Sequence, residues 1–237
     1  MHCVKIDVCF SINEYTQPRY LGYSAVVIDV LRATTSIATA LHNGCMRLIP
    51  VETVEQAIKL KHDRYQDALL AGERKGQLIP GFNLGNSPYE YTKEVVLDKT
   101  IIMTTTNGTL ALSKARNAEK VFTASFVNAD AVARKLYEES RDIVVLCAGT
   151  EGRFSLEDAL CAGLLAERLT DRAWLSDSAM AAQAMYRDFR CDLVKKISAS
   201  SHAQYLFSIG YGDDVAFSME HDAYSVVPQF REGQITA

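Results

Sequence analysis

Short runs rich in valine and isoleucine alternate with helical patterns over residues 25–169, and this alternation constrains the fold more than any other feature. A short apolar run between turn signals is typical of a strand that is buried on both faces. Strands that alternate with helices form a mainly parallel sheet covered by helices. The predicted strand–helix pairs are 25–30 with 34–43, 47–51 with 53–65, 100–106 with 108–117, 120–125 with 127–139 and 142–148 with 156–169, and 68–72 is a further strand.

The two ends of the chain have different patterns. Residues 2–10 alternate in part and predict an edge strand, whereas the chain from 174 onward is mainly helical. A returning strand is predicted over 224–230, where Pro228 confines it to an edge or an end of the sheet. We therefore expect an α/β fold with three layers, α/β/α, around a mainly parallel or mixed sheet, and one domain over residues 1–237.

Composition bounds the partners and the compartment. The 237 residues carry 25 basic and 29 acidic side chains, a net charge of −4, without the clustered lysines and arginines that nucleic-acid binding needs. No apolar run reaches the roughly 18 residues of a membrane span, and no signal peptide is recognisable. We expect a soluble cytoplasmic protein without nucleic-acid or membrane partners, and a homo-oligomer is left open.

The first candidate site segment is 29–36. In an open α/β sheet, ligands bind beyond the carboxyl ends of the strands, which is where Asp29 lies. Arg32 follows, and Thr34 and Thr35 lie where a helix begins, so that an arginine and free N–H groups could bind phosphate. The structural alternative is that a threonine caps the helix while Asp29 pairs with Arg32.

A second segment, 104–109, leaves a buried strand with hydroxyls and a permissive backbone. Such a loop can hold an anion with its N–H groups, although a β-branched strand end with an asparagine cap explains the same residues. The candidates here are Thr105, Thr106, Asn107, Gly108 and Thr109.

The third segment, 147–158, supports two kinds of chemistry. Glu157 and Asp158 are adjacent carboxylates that suit Mg²⁺, or that merely favour the start of a helix. Cys147, five residues and then Arg153 have the spacing of cysteine-dependent phosphatases, which attack phosphorus with a thiolate. Phe154 stands where those enzymes have serine or threonine, which counts against the thiolate mechanism.

The fourth segment combines Glu73, Arg74 and Lys75 directly after a strand with a glycine-rich stretch up to residue 90. These charges suggest an acid or metal ligand and two anion contacts, and a solvated charged turn is the alternative. Ser87, Pro88 and Glu90 form a helix start. Asp213 and Asp214 are weaker Mg²⁺ candidates, and the five histidines lack ligand spacing and enter no site prediction.

Taken in order, these segments resemble the 2-phosphosulfolactate phosphatase family of coenzyme M biosynthesis. The matching stretches are DVLRATTSI (29–37), AGER (71–74), GFNLGNSPYEY (81–91), TTTNGT (104–109), CAGTEGRFSLED (147–158), and GDD with VVP (226–228). The resemblance implies an α/β, Mg²⁺-dependent phosphatase that hydrolyses 2-phospho-3-sulfolactate, a small anionic substrate, to 3-sulfolactate and phosphate. Asn83 stands where the family more often has aspartate.

Together with these motifs, the residues suggest a mechanistic hypothesis. Asp29 is a metal ligand or the nucleophile, and Glu73, Glu157 and Asp158 complete the metal site or supply a proton. The expected catalytic residues are Asp29, Arg32, Glu73 and Arg74, and the expected substrate-binding residues are Thr34, Thr35, Asn86, Thr105, Thr106, Asn107, Gly108, Thr109 and Arg153.

Three alternatives stay open at this point. The substrate could be a related small phosphorylated acid, the mechanism could use Cys147 with Arg153, or the chain could be a non-catalytic anion-binding module.

Overall fold

The computed structural model describes residues 4–237, which form a mixed sheet with helices packed on it. The strands are β1 (Val4–Cys9), β2 (Ser24–Ile28), β3 (Arg47–Pro50), β4 (Leu69–Arg74), β5 (Gln77–Leu78), β6 (Thr100–Thr104), β7 (Lys120–Ala124), β8 (Ile143–Cys147), β9 (Ala173–Leu175), β10 (Gln229–Arg231) and β11 (Gln234–Thr236).

The helices are α1 (Ala33–His42), α2 (Val54–Arg64), α3 (Lys93–Val96), α4 (Gly108–Ala115), α5 (Ala129–Glu139), α6 (Leu156–Leu169), α7 (Asp177–Phe189), α8 (Leu193–Ser198), α9 (Ser201–Ser208) and α10 (Gly212–Ser218). Short 3₁₀ turns occupy Gln17–Tyr20, Pro88–Glu90, Phe126–Asn128 and Arg190–Asp192. Within the described residues, no helix has both the length and the apolar character needed to cross a membrane.

The sheet consists of two parallel sets of strands that an antiparallel hairpin joins. Its order is β5-β4-β6-β3-β11-β10-β7-β2-β8-β1-β9. The five strands from β7 to β9 are parallel to one another, as are β4, β6 and β3. The hairpin β10–β11 pairs antiparallel with β7 on one side and with β3 on the other. The expected α/β class and the mainly parallel, mixed sheet are confirmed.

Apolar side chains of the strands contribute to three hydrophobic cores, and one of these cores contains residues of both parallel sets. Helices α5, α6 and α7 pack against the larger set, and α2 packs against the smaller one. The middle core contains residues of both sets together with α1 and α4. Helix α1 is buried along its whole face from Ala33 to Leu41, because its alanine, serine and threonine side chains are small enough to lie between other elements.

Two predictions about the ends of the chain need correction. Strand β1 is not an edge strand, because the three residues of β9, too few to give a sequence pattern, pair with it and form the edge. The predicted strand over 224–230 is shorter, begins directly after Pro228, and is interior rather than at an edge. Residues 2 and 3 of the predicted first strand lie outside the described residues.

Candidate active site

The four candidate segments meet at one place in the molecule. The carboxylate of Asp158 accepts hydrogen bonds from the backbone N–H groups of Val30 (2.8 Å) and Gly149 (3.0 Å), which joins the loops after β2 and β8. The N–H of Thr106, after β6, donates to Oε1 of Glu73 at the end of β4 (2.7 Å). The expected convergence of these loops is therefore present in the structure.

Asp29 lies at the centre of this arrangement, directly after the interior strand β2. Its Oδ1 accepts a hydrogen bond from the N–H of Ala33 at the start of α1 (3.3 Å), and its backbone carbonyl accepts two more from Thr34. Oδ2 has no hydrogen-bond donor among the described residues, and the residue is 7% exposed. One carboxylate oxygen is thus free and reachable from solvent.

Gly108 explains how the loop after β6 approaches Asp29 so closely. A Cβ atom at position 108 would lie 2.8 Å from Oδ2 of Asp29 and 2.7 Å from Cβ of Ala33. Any larger residue would therefore push the first turn of α4 away from Asp29. Only glycine at this position lets the start of α4 lie so close to Asp29.

The electrostatic surroundings of Asp29 disfavour its charged form. Burial raises the pKa of Asp29 to about 6, with smaller increases from the negative charges of Glu73 and Glu157. The positive charge of His202 and the N–H of Ala33 oppose this rise. A carboxylate whose pKa is shifted toward neutrality by burial and neighbouring charges is typical of a functional site.

Glu73 supports the site rather than presenting a free carboxylate to it. The hairpin between β4 and β5 turns at Lys75 and Gly76, both with positive φ (51° and 69°), as tight two-residue hairpins require. This turn directs the N–H of Gly76 at Oε2 of Glu73 (2.8 Å), while Thr106 occupies Oε1. Both carboxylate oxygens of Glu73 therefore accept hydrogen bonds from backbone N–H groups, as do those of Asp158.

Glu157 is paired with a histidine that the sequence did not single out. Its Oε1 lies 2.6 Å from Nδ1 of His202, which is carried by α9. Burial raises the pKa of Glu157, but the hydrogen bond and charge of His202 outweigh it, so the net shift is downward. The ring is correspondingly favoured in its protonated form, because Glu157 raises the pKa of His202 by more than burial lowers it.

Arg32 is engaged in holding the C-terminal helices over the site. Its guanidinium, 2% exposed, donates to Oδ2 of Asp214 (2.6 Å) and to the carbonyl of Gly76, and it stacks 4.0 Å from the ring centre of Tyr211. Asp214 also accepts a hydrogen bond from Ser87 (2.7 Å). The alternative pairing of Arg32 with Asp29 is not observed, and Asp214 takes that place.

Most of the threonine hydroxyls are committed to local structure. Thr34 and Thr35 donate to backbone carbonyls of residues 29 and 30, and Thr109 donates to the carbonyl of Thr105 (2.8 Å). The backbone N–H of Thr109 in turn donates to Oγ1 of Thr105, which caps α4. Their hydroxyls therefore shape the loops, and the backbone N–H groups of Ala33, Thr34, Thr105, Thr106 and Thr109 also donate within the protein.

Two asparagines in the candidate segments also bond to backbone. Asn107 accepts from the N–H of Glu151 (3.3 Å), and Asn83 accepts from the N–H of Leu70 (2.9 Å), a role that an aspartate oxygen would fill equally. Asn86 is buried, and its Oδ1 has no hydrogen-bond partner among the described residues.

The cationic side chains of the site differ in whether their charged groups already make hydrogen bonds within the protein. Arg74 donates to Oγ1 of Thr104 (2.9 Å) and to the carbonyl of Glu73 (2.7 Å). Lys75 and Arg153 are exposed, and no hydrogen bond or ion pair of their charged groups occurs among residues 4–237. These two side chains are therefore available to an anionic ligand.

Cys147 lacks the properties of a nucleophile. It is fully buried at the end of β8, and burial raises its pKa well above the ordinary value of a thiol. A reactive cysteine needs an accessible thiolate with a lowered pKa. The thiolate alternative with Arg153 is therefore disfavoured by the structure.

The residues present fit Mg²⁺ in one way only. Among the described residues, no three His, Cys, Asp or Glu side chains lie close enough to hold a metal ion by protein ligands alone. The oxygens of Glu73 and Asp158 accept hydrogen bonds from backbone N–H groups. Asp29 has a free Oδ2, and Glu157, whose Oε1 is bonded to His202, has a buried Oε2 without a hydrogen-bond partner among the described residues. Proteins often bind Mg²⁺ through one or two carboxylates, water and substrate phosphate, and Asp29 suits that arrangement.

Comparison with known proteins gives a consistent result over nearly the whole chain. The family model described as 2-phosphosulpholactate phosphatase matches residues 10–233. A protein of Clostridium acetobutylicum named probable 2-phosphosulfolactate phosphatase is 40% identical over 98% of this chain and 100% of its own length. A protein of Thermotoga maritima with the same name is 46% identical over 89% of this chain and 90% of its own.

Proposed function

Since the chain belongs to the 2-phosphosulfolactate phosphatase family, we propose that it hydrolyses 2-phospho-3-sulfolactate to 3-sulfolactate and phosphate with the help of Mg²⁺. The reaction breaks the bond between phosphorus and the ester oxygen, adds water to phosphorus and returns a proton to the leaving oxygen. The family assignment supplies the reaction class, a phosphoric monoester hydrolase, and the site must account for the chemistry.

The observation that carries the proposal is the free oxygen of Asp29. This carboxylate lies after an interior strand, has its pKa raised to about 6, and is reached from solvent beside the first turns of α1 and α4. Helix N-termini provide N–H groups and positive dipole character, which favour phosphate. Asp29 would therefore act directly beside the transferring phosphoryl group.

Mg²⁺ held by Asp29, water and the substrate phosphate would neutralise phosphoryl oxygens and stabilise the departing oxygen. Glu73 and Asp158 keep the loops around Asp29 in place, because each closes hydrogen bonds between two segments. Removing either carboxylate would loosen the site without removing a group that touches substrate.

The other acidic groups of the substrate need cations of their own. Besides phosphate, 2-phospho-3-sulfolactate carries a carboxylate and a sulfonate. Lys75 and Arg153 are unpaired cations in two of the converging segments, and we assign them to these groups. Because their charges are exposed, their loss should raise KM more than it lowers kcat.

Asp29 can contribute in two ways that a trapping experiment separates. As a metal ligand it forms no covalent bond with phosphorus, whereas as the nucleophile it forms an aspartyl phosphate. Rapid acid quenching of the enzyme with ³²P-labelled substrate, followed by hydroxylamine treatment, detects the second species. A labelled, hydroxylamine-sensitive protein band assigns Asp29 as the nucleophile.

A phosphate-release assay tests the function itself. The purified chain is incubated with 2-phospho-3-sulfolactate, phospholactate, 3-phosphoglycerate and phosphoenolpyruvate, each with Mg²⁺ or with EDTA. We expect the highest kcat/KM with the sulfonated compound and loss of turnover with EDTA. Faster release from a non-sulfonated acid would move the assignment to a related substrate, and saturable binding without release would support an anion-binding module.

A further inference from the structure

A partly exposed histidine paired with a buried carboxylate lies at the same edge of the sheet as Asp29 and has no part in the function as described so far. Nδ1 of His202 is 2.6 Å from Oε1 of Glu157 and 3.4 Å from Oγ1 of Thr150. Nε2 has no hydrogen-bond partner among the described residues, and the side chain is 21% exposed. The ring is therefore fixed at one nitrogen and free at the other.

The surroundings of the ring determine what its free nitrogen can do. A carboxylate acceptor at Nδ1 selects the form in which that nitrogen carries a proton and stabilises the ring when both nitrogens are protonated. His202 contacts Thr150, the residue after Gly149, and Asp158 accepts hydrogen bonds from the N–H groups of both Gly149 and Val30, so the ring lies at the same strand-end edge as Asp29. Its charge also lowers the pKa of Asp29. A protonated Nε2 near the phosphoryl site is a proton donor.

We propose that His202 is the general acid of this phosphatase and that Glu157 is the positioning residue that orients its ring. This inference rests on the function proposed above. It gives Glu157 a role other than that of a metal ligand, and it adds a catalytic residue from α9, which lies outside all the sequence segments that suggested the site.

The ester oxygen takes the electron pair of the breaking P–O bond. The new bond to phosphorus forms from a water molecule or, if Asp29 is the nucleophile, from its carboxylate, and water then hydrolyses the aspartyl phosphate. His202 transfers its Nε2 proton to the ester oxygen, which becomes the hydroxyl group of 3-sulfolactate. The proton released by the attacking water restores the imidazolium, so the net reaction consumes one water and yields one phosphate.

A general acid is needed here because the leaving group is the alkoxide of an ordinary alcohol, which is strongly basic. The groups that face the ring are Glu157 on α6, Asp29 after β2, Arg32 before α1 and Thr150 in the loop after β8. Burial and Arg32 lower the pKa of His202, but Glu157 and Asp29 outweigh them, so the net shift of its pKa is upward and the protonated ring is favoured.

The decisive test compares leaving groups in the variant His202→Gln. With 2-phospho-3-sulfolactate, kcat should fall by about 10²–10⁴-fold, the usual contribution of a general acid. With p-nitrophenyl phosphate, whose leaving group needs no proton, the decrease should stay within about tenfold. An equal loss with both esters would overturn the proposal. His221→Gln is the matched control, because that histidine also bonds to a side chain, Tyr186, but lies outside the site.

The pH dependence gives a second readout that a merely structural role would not change. In the wild type, kcat should fall as the pH rises through the pKa of His202, and this decrease should be absent in His202→Gln. Glu157→Gln should shift it to lower pH, because the variant removes the charge that favours the imidazolium. An unchanged alkaline limb in both variants would contradict the assignment.

A measurement on the unaltered protein covers the case in which the variants do not fold. NMR titration of histidine-labelled wild type should show a His202 pKa above the ordinary value of about 6.5 and a change in its shifts when phosphate is added. A ring that is neutral at pH 7 and insensitive to phosphate would refute the proposal. If the wild type releases phosphate from no ester, the proposed function fails, and the His202 assignment fails with it.

Discussion

Two of the buried aspartates belong to strands of the same parallel set, β1 and β2, which β8 separates, and they differ in what their oxygens contact. Asp7, within β1, has its carboxylate fully surrounded by donors, whereas Asp29, after β2, has one oxygen without a donor. The donors to Asp7 are the N–H of Val8, the hydroxyls of Tyr20, Ser176 and Ser178, and the guanidinium of Arg19.

The two pKa values follow from these contacts. Burial raises the pKa of Asp7, but its hydroxyl donors and Arg19 outweigh it and give a net decrease. Burial dominates at Asp29 and raises the pKa to about 6. A buried carboxylate that is fully hydrogen-bonded stabilises the fold, whereas one left partly unsatisfied costs stability and remains available for chemistry.

The largest expected effect is on activity in Asp29→Asn. Asparagine keeps the acceptor for Ala33 but cannot hold a metal ion or attack phosphorus. We expect phosphate release to fall on the order of 10³-fold or more, equivalent to about 4 kcal/mol of barrier, with an unchanged circular dichroism spectrum. Turnover near that of the wild type would remove Asp29 from the mechanism.

The same variant should be more stable than the wild type in the absence of Mg²⁺ and substrate. Since the folded-state pKa is raised to about 6, the ionised carboxylate destabilises the fold above that pH. This cost grows as the pH rises from the ordinary aspartate pKa to about 6 and reaches about 3 kcal/mol above that; it disappears near pH 3 and below, where both states are protonated. Thermal unfolding should show a higher Tm for Asp29→Asn at pH 8 and a much smaller difference near pH 3.

Asp7→Asn should have the opposite effect. We expect a loss of about 2–3 kcal/mol at pH 7, because an amide satisfies fewer of the five donors and leaves Arg19 unpaired. Since the folded-state pKa of Asp7 is lowered, the wild-type advantage is complete above the ordinary aspartate pKa and is lost as the pH falls below it. Urea unfolding measures the loss, and kcat of the folded variant should change by less than about twofold.

Gly108→Ala tests the free oxygen of Asp29 by crowding it. The new Cβ would lie 2.8 Å from Oδ2 and 2.7 Å from Cβ of Ala33, so the first turn of α4 must shift. We expect kcat/KM to fall by about 10–100-fold with a loss of about 1–2 kcal/mol of stability. Leu110→Ala, at an exposed position of the same helix, is the control and should leave kcat/KM unchanged.

The smallest effect is expected for Cys147→Ala. The buried thiol contributes packing only, so the variant should lose about 1 kcal/mol of stability and keep kcat within about twofold. A loss of activity as large as that of Asp29→Asn would restore the thiolate mechanism.

The sequence predicted the longer strands and helices between residues 25 and 169, because apolar runs and helix-start signals are local properties, but it did not predict the two residues of β5 or the single turn of α3. It also predicted that Asp29, Glu73, Thr106 and Asp158 converge, since the ends of buried strands carry the ligand site of such folds. Which oxygens remain free could not be predicted. That depends on backbone N–H groups such as those of Gly76 and Val30, whose directions are set by turns and not by residue type.

The residues that the C-terminal helices contribute to the site could not be predicted from the sequence either. His202 and Asp214 reach the site from α9 and α10, 45 positions from Glu157 and 182 from Arg32. No spacing rule connects residues so far apart, and the helices are placed by packing. Asp214 accepts hydrogen bonds from Arg32 and Ser87, a role that its prediction as a weak Mg²⁺ candidate did not indicate.

The hairpin β10–β11 has a consequence for how the sheet is completed and protected. It lies between β7 and β3, whose residues come more than a hundred positions earlier in the chain. The two sets of strands therefore become one sheet through contacts of very high contact order, which are slow to form. Until the hairpin inserts, β3 and β7 present unpaired hydrogen-bonding groups, the kind of open edge at which folding intermediates associate with one another.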